Sequence, residues 1–280
     1  MPRIVISLTT SPVRIRAMRD MLMALAAQDG GVAEILLNLP YRFARTGEPY
    51  DIPDWIAAIP NLRINRCPDY GPATKLLGAL ECEADPDTLI ITVDDDVLYP
   101  NGMVAAYRRY AAGGETCVYC TCGFTIADPF AFAIEVRGSL LPVRGHLMRV
   151  QVAEGYGSCL YRRSFFDPDI FAIQNVPDFL RYSDDIYISN YLARRNIAIR
   201  TVQCEGFGGP KFWQSRMLPH GLGGDALHRN EQIGTNRQRY ALAVDYLIRN
   251  NIYFLGGLPG HPRTGLAKPE SPWVDGSLVR

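Results

Sequence analysis

The sequence predicts an α/β fold in which a mostly parallel central sheet is flanked by helices. Strands and helices alternate through residues 1–112, the order that builds such sheets. The apolar run 89–93 is rich in β-branched residues, the composition of a strand buried on both faces. This run ends in Asp94, Asp95 and Asp96. Because ligands in open α/β sheets bind just outside the carboxyl ends of the strands, these acids mark an expected binding site.

The N-terminal elements follow from strand-like runs and helix signals. Strands are predicted at residues 3–9, 34–39, 61–66 and 89–93. Helices are predicted at residues 13–28, 70–81 and 100–112, with a short helix or lid at 51–59. Ser11 is the expected N-cap of the first helix, and Pro12 its first residue. The spacing of four apolar residues predicts its buried face: Ile15, Met18, Leu22 and Leu25.

The C-terminal elements are predicted to complete the sheet and then to surround the site. Strands are expected at residues 116–126 and 197–203, and helices at 183–195 and 238–249. Residues 130–152 suggest a hairpin or a flap, residues 206–236 an ordered loop around the site, and residues 256–280 a Pro/Gly-rich tail. Without internal repeats or a long linker, the 280 residues are expected to form one domain.

Composition excludes several classes of partner. The chain has 280 residues and is 48% hydrophobic, which suffices for a large core. Its formal net charge is zero, with 29 basic and 29 acidic residues, so no general nucleic-acid or membrane partner is indicated. No apolar run approaches the roughly 18–20 residues of a membrane span, and no signal peptide is apparent. Seven irregularly spaced cysteines suit a reducing compartment, so a cytoplasmic protein is expected.

The cluster of Cys117, Cys120 and Cys122 could suggest a zinc site. In a strand, however, Cys120 and Cys122 share one face and Cys117 points to the other. No second cysteine pair or nearby histidine completes a tetrahedral ligand set. Buried thiols that act as small hydrophobic side chains are the favoured interpretation.

Two basic residues lie near helix starts where an anion could bind. The hydroxyl-rich turn Thr10-Ser11 precedes the first helix, and Arg14 lies on its first turn, so this segment is either a nucleotide pocket or an ordinary capped turn. Lys75 falls near the start of the helix at 70–81, where the helix dipole disfavours a cation. A bound anion would offset that cost; a surface lysine is the alternative.

Three acidic and glycine-rich segments carry the remaining candidate chemistry. Asp94, Asp95 and Asp96 offer hard oxygen ligands for Mg²⁺ or Mn²⁺, or form a solvated acidic turn. In the segment 155–157, two glycines flank a tyrosine that could stack on a sugar, or they form a tight turn. In the segment 183–189, Ser183 is the expected N-cap, and the two acids that follow it are explained by the helix dipole alone. As a base, either acid would be expected to have a lowered pKa there.

The order of these segments resembles that of GT-A glycosyltransferases, most closely the inverting, family 2-like or β-1,3-glycosyltransferase-like enzymes. The resemblance spans roughly residues 3–203. Val-Asp-Asp-Asp-Val at 93–97 is similar to the metal-binding DXD motif, and Ser-Asp-Asp-Ile-Tyr at 183–187 to the base motif Glu-Asp-Val-Tyr. The chain departs from that pattern where Ser183-Asp184 replaces Glu-Asp, and no membrane anchor is expected from its N-terminal segment.

This resemblance implies a single GT-A-like catalytic domain over 1–280, with a nucleotide-binding half at 1–112, an acceptor half at 113–255 and a tail at 256–280. It implies an inverting, metal-dependent transfer of a sugar from a nucleotide donor, with a UDP-sugar as the expected donor, to a hydroxyl of a glycan or another acceptor. Asp185 would be the general base. The implied metal ligands for Mn²⁺ or Mg²⁺ are Asp94, Asp96 and a histidine, His220 or His228. The implied nucleotide-binding residues are Thr9, Thr10, Ser11, Arg14, Lys75, Asp94 and Asp95. The implied acceptor-binding residues are Gly155, Tyr156, Gly157, Asp184 and Trp213.

Three other functions compete with this interpretation. A HAD-type phosphohydrolase also carries Asp-x-Asp after an apolar strand, but it needs Thr or Val where this chain has Leu98. A nucleotidyltransferase would share the fold, but its glycine-rich, arginine-containing loop after the first strand is missing. A non-catalytic carbohydrate-binding protein would bind glycans without a nucleotide or a metal.

Overall fold

The computed structural model describes residues 2–113, 115–129, 140–143, 147–202, 218–219, 234–256, 273–274 and 277–278. Within these ranges, no helix combines the length and the apolar character that crossing a membrane would require. The predicted loop at 206–236 and the tail at 256–280 fall largely outside them.

The described chain alternates strands and helices. The strands are β1 Ile4–Thr9, β2 Glu34–Pro40, β3 Leu62–Cys67, β4 Leu89–Thr92, β5 Val118–Cys120, β6 Gly123–Ile126, β7 Leu140–Val143, β8 Arg149–Val150, β9 Val152–Ala153, β10 Cys159–Arg162, β11 Ile199–Thr201, β12 Trp273–Val274 and β13 Ser277–Leu278. The α-helices are α1 Arg19–Ala26, α2 Thr74–Cys82, α3 Met103–Ala112, α4 Asp178–Arg181, α5 Asp184–Arg194 and α6 Asn236–Arg249. The 3-10 helices are Ile15–Ala17, Asp54–Ala58, Gly71–Ala73, Gly155–Gly157, Arg163–Phe165 and Pro168–Asn175.

The largest sheet has eight strands in the order β3-β2-β1-β4-β10-β5-β11-β8. β3, β2, β1 and β4 are parallel, as are β5 and β11, whereas β10 and β8 run antiparallel to their neighbours. The predicted α/β class with a mostly parallel central sheet is therefore confirmed. The chain moves outward from β1 to β3 and then returns to place β4 on the other side of β1. Such a reversal of strand order opens a crevice at the carboxyl ends of β1 and β4.

Both faces of this sheet are buried, because alternate residues of a strand point to opposite sides. On β1, Ile4, Ile6 and Leu8 pack in the cluster that contains α1 and α3. Val5 packs in the opposite cluster, with α2 and α5. A third cluster joins α6 to α4, α5 and β6. The predicted burial of Ile15, Met18, Leu22 and Leu25 is confirmed.

Two predicted elements are wrong in their bounds. The expected strand at 116–126 is two strands, because the chain leaves the large sheet after β5 and enters a second sheet, β7-β6-β9, at Gly123. A Cβ on Gly123 would lie 2.4 Å from the carbonyl oxygen of Val152, so this crossing requires a glycine. The expected helix at 13–28 is a 3-10 turn at Ile15–Ala17 followed by α1, and it does not begin at Ser11.

Candidate active site

A cleft of about 340 Å³ opens at the carboxyl ends of β1 and β4, where the strand order reverses. It brings together most of the site residues predicted from the sequence. Those lining it are Thr9, Thr10, Ser11, Arg14, Lys75, Asp94, Asp95, Asp96, Tyr156, Asp184 and Asp185. The two acidic clusters, 94–96 and 184–185, therefore face one cavity although they are far apart in the sequence.

Asp95, one of the acids after β4, forms hydrogen bonds with the segment that follows β1. Thr10 Oγ1 donates a hydrogen bond of 2.6 Å to Asp95 Oδ2. Arg14 Nη1 donates to Asp95 Oδ1 at 2.9 Å and to Asp96 Oδ2 at 3.1 Å. Burial raises the pKa of Asp95, and the Arg14 charge opposes that rise. Asp95 therefore organises the walls of the cleft and is only 6% exposed.

Asp94 and Asp96 present oxygens to the cleft. Asp94 Oδ1 accepts a hydrogen bond of 2.7 Å from Lys75 Nζ, and the Asp94 N–H donates to the Tyr99 hydroxyl at 2.9 Å. Burial, together with the neighbouring carboxylates Asp94 and Asp95, raises the pKa of Asp96 to about 7. Among the described residues, one carboxylate oxygen of Asp94 and one of Asp96 receive no hydrogen bond. Oxygens of this kind are hard donors of the type that small divalent cations take as ligands.

No group of three or more His, Cys, Asp or Glu side chains suited to a metal lies within the described ranges. His220, His228 and Trp213, three of the residues predicted for the site, lie outside the described ranges.

Lys75 lies between the two acidic clusters. Its Nζ is 2.7 Å from Asp94 Oδ1 and 4.0 Å from Asp184 Oδ2. Burial alone would lower the pKa of Lys75, but the carboxylates of Asp94, Asp184 and Asp185 outweigh it and raise the pKa. The alternative of a surface lysine is wrong, because the residue is only 8% exposed. Ser7 Oγ donates to the Lys75 carbonyl at 2.5 Å, which fixes the start of α2 against β1.

Asp185 is held by one donor on each carboxylate oxygen. The Gly155 N–H donates to Asp185 Oδ1 at 2.9 Å, and the Tyr240 hydroxyl donates to Asp185 Oδ2 at 3.1 Å. Burial raises the pKa of Asp185 despite these donors and the Lys75 charge. The expectation that the helix N-terminus lowers this pKa is therefore wrong: desolvation of the carboxylate is the larger effect.

Asp184 lines the cleft, and one of its carboxylate oxygens is buried without a hydrogen bond from the described residues. It is the first residue of α5 and is 7% exposed, and its Oδ2 has no hydrogen-bond partner among the described residues. Burial and the adjacent Asp185 raise the pKa of Asp184 to about 7. Ser183 does not cap the helix through its side chain, since its Oγ donates instead to the Phe179 carbonyl at 2.7 Å. Asp184 Oδ2 lies 4.0 Å from Lys75 Nζ, beyond hydrogen-bond distance, so the Lys75 charge is near it but donates no hydrogen bond to it.

The Gly155-Tyr156-Gly157 turn contributes Tyr156 to the cleft and makes room for two other side chains of the site. A Cβ on Gly155 would lie 2.7 Å from Lys75 Nζ and 3.0 Å from Asp185 Oδ1, so the glycine makes room for these side chains. Tyr156 lines the cleft, and its carbonyl accepts a hydrogen bond from the Tyr99 hydroxyl. Gly157 is buried and is not among the lining residues.

Replacing Gly155 by Ala is expected to displace Lys75 and Asp185 and to lower the activity of this site about 100-fold, because a misplacement of about 1 Å can cost that much. The fold should survive, since the crowded Lys75 ammonium is the end of a flexible side chain. Gly102→Ala is the matched control, because a Cβ there has no neighbour within 4 Å. Steady-state rates and thermal melting of both variants check this; equal activity in the two would contradict it.

Several residues of the cleft had no signal in the sequence. Tyr240 and the buried Arg239 come from α6, and Tyr50 donates its hydroxyl hydrogen to the Thr10 carbonyl at 2.8 Å. Each reaches the cleft through contacts with residues distant in the sequence, so local patterns do not reveal them.

No family model matches the sequence, and no curated protein matches it. Distant similarity is found among solved structures. A CMP-2-keto-3-deoxy-manno-octonic acid synthetase complexed with CTP is 14% identical, with a TM-score of 0.40 over 72% of this chain and 90% of that one. Residues 1–349 of S. aureus TarS in complex with UDP are 13% identical, with a TM-score of 0.43 over 71% of this chain and 57% of that one. The 2-C-methyl-D-erythritol 4-phosphate cytidylyltransferase IspD of Francisella tularensis is 11% identical, with a TM-score of 0.42 over 83% of this chain and all of that one.

Proposed function

We propose that this protein is a GT-A-type, family 2-like glycosyltransferase that moves a sugar from a nucleoside diphosphate donor to an acceptor hydroxyl with inversion. One observation supports this above all: two acidic clusters from opposite halves of the chain line one cleft at the sheet's reversal point. Lys75 Nζ lies within 4.0 Å of a carboxylate oxygen from each cluster. One cluster suits a cation and its diphosphate, and the other suits a reacting hydroxyl.

The donor would bind against the carboxyl ends of β1 and β4. Thr9, Thr10 and Ser11 line that end of the cleft with hydroxyl groups, and Arg14 contributes a guanidinium group. The oxygens of Asp94 and Asp96 that lack hydrogen bonds would hold Mn²⁺ or Mg²⁺. When bound, such a cation neutralises charge on the departing diphosphate and orients it.

Asp185 would take the proton of the acceptor hydroxyl. The hydroxyl oxygen forms a bond to the anomeric carbon as the bond from that carbon to the diphosphate breaks on the opposite face, which inverts the centre. The proton passes to the carboxylate of Asp185, and the nucleoside diphosphate leaves with the bonding electrons. General-base catalysis of this kind accelerates a reaction by about 10²–10⁴-fold.

The acceptor would lie between Asp184 and Tyr156. The Asp184 carboxylate would accept a hydrogen bond from one sugar hydroxyl, and Tyr156 lines the same cleft. Asp184 is only 7% exposed and its Oδ2 has no hydrogen bond among the described residues, so a hydroxyl bound to this carboxylate would offset the cost of its burial.

A donor screen tests this proposal. We expect UDP-sugars, with GDP- and CMP-sugars as comparisons, to raise the melting temperature more with Mn²⁺ than without it. We also expect acceptor-dependent release of the nucleoside diphosphate. Release of pyrophosphate from a nucleoside triphosphate would indicate a nucleotidyltransferase, and release of phosphate without an acceptor a phosphohydrolase. Glycan binding that needs neither nucleotide nor metal would indicate a carbohydrate-binding protein.

A further inference from the structure

Tyr240 contacts Asp185 from the last long helix of the described chain. Its hydroxyl donates to Asp185 Oδ2 at 3.1 Å, and its ring stacks on Phe124 with 5.9 Å between centroids. The Gly155 N–H occupies the other carboxylate oxygen at 2.9 Å. One donor on each oxygen fixes the rotation of the carboxylate, which leaves a defined lone-pair direction open to the cleft.

The placement of Tyr240 is built into the fold. α6 begins at a capping box in which Thr235 and Gln238 bond each other's backbone N–H. Its apolar face, including Ala243, Val244 and Leu247, packs in the same cluster as Ile186 of α5. The ring position is therefore set by the helix cap on one side and by packing against α5 on the other.

We propose that Tyr240 is a positioning residue that orients the Asp185 carboxylate for proton transfer. This inference rests on the proposed function, in which Asp185 removes a proton from the acceptor. A hydroxyl that donates to a carboxylate stabilises its ionised form, so Tyr240 lowers the pKa of Asp185 against the effect of burial. Loss of the hydroxyl therefore raises that pKa, and a larger share of the enzyme carries a protonated Asp185 at acidic pH.

The other titratable groups around Asp185 stay in place when only the Tyr240 hydroxyl is removed. They are Lys75 from α2, Asp94 after β4, Asp184 on α5, Glu154 before the glycine turn, and the buried Cys120, Cys159 and Tyr161. The single-atom change Tyr240→Phe keeps the ring that stacks on Phe124 and thus isolates the hydrogen bond.

Tyr253→Phe is the matched control. Tyr253 belongs to the same apolar cluster, and its hydroxyl is buried without a hydrogen-bond partner among the described residues. Both variants lose one buried hydroxyl, but only Tyr240→Phe loses a bond to Asp185.

The experiment compares the pH profile of kcat and the titration of the Asp185 carboxyl carbon by NMR in wild type and both variants. For Tyr240→Phe we expect the acidic limb and the NMR titration to move up by about one pH unit, which is about a 10-fold loss of kcat on that limb. The KM of the donor should stay within about 2-fold. Tyr253→Phe should match wild type.

Two outcomes would overturn the inference: an Asp185 titration unchanged in Tyr240→Phe, or a loss of kcat that is equal at every pH. The NMR titration separates this inference from the proposed function. If wild type transfers no sugar, the proposed function fails, whereas the shift of the carboxyl titration still decides whether Tyr240 controls Asp185.

Discussion

Replacing Asp96 by Ala is expected to abolish Mn²⁺-dependent transfer, with a loss of at least about 10³-fold, because a bound cation supplies several kcal/mol of charge stabilisation. The variant removes one of the two carboxylate oxygens that face the cleft without a hydrogen bond. It should also lose the Mn²⁺-dependent rise in melting temperature caused by a nucleotide donor. Arg14 keeps its ion pair with Asp95 at 2.9 Å, so the folded structure should remain.

Asp87→Ala is the control for that variant. Asp87 lies just before β4, its side chain is 75% exposed, and it forms an ion pair with Arg162. Its loss should change neither transfer nor donor binding, since an exposed ion pair contributes roughly 0–1 kcal/mol. Isothermal titration with Mn²⁺ and a donor, alongside rates, checks both variants. Normal metal-dependent binding by Asp96→Ala would remove Asp96 from the cation site.

The sequence was sufficient for the fold class because the strands of the central sheet are locally marked. β4 is a short run rich in β-branched residues and buried at every position, and acids that cannot be buried without partners follow it. The break between β5 and β6 was not predictable in the same way. Both strands are apolar, and the change of sheet depends on the close approach of Gly123 to Val152 on β9.

The site was predictable where its residues lie at strand ends and was not where it depends on tertiary partners. The acids of 94–96 follow directly from β4, but Lys75 reaches both acidic clusters from α2, whose packing against β1 includes the bond from Ser7 to the Lys75 carbonyl. Nothing near Tyr240 in the sequence indicates that its hydroxyl meets Asp185. The pKa of Asp185 was expected to be lowered, which is wrong for the same reason. The helix N-terminus is visible in the local sequence, whereas the burial that raises this pKa depends on the whole fold.

Replacing Asp185 by Asn is expected to lower kcat about 10²–10⁴-fold while donor binding remains, because the amide has the shape of the carboxylate but cannot take a proton. The Gly155 N–H can still donate to the amide oxygen, so the variant should keep the local geometry. In wild type, kcat should fall at acidic pH as Asp185 becomes protonated. Burial raises its pKa, so this fall should lie above the usual range of an aspartate. Asp178→Asn is the control, since Asp178 is an exposed acid in the first turn of α4.

The variant Asp184→Asn, compared with Asp185→Asn, distinguishes the roles of the two neighbouring acids of α5. If Asp184 Oδ2 accepts a hydrogen bond from the acceptor, its amide variant should chiefly raise the KM of the acceptor, by about 10-fold for one lost hydrogen bond. Asp185→Asn should instead reduce kcat with little change in either KM. The opposite pattern, with the larger loss of kcat in Asp184→Asn, would transfer the role of base to Asp184, which also lines the cleft. Because the two side chains are adjacent but differently hydrogen-bonded, this pair of variants decides which carboxylate receives the proton.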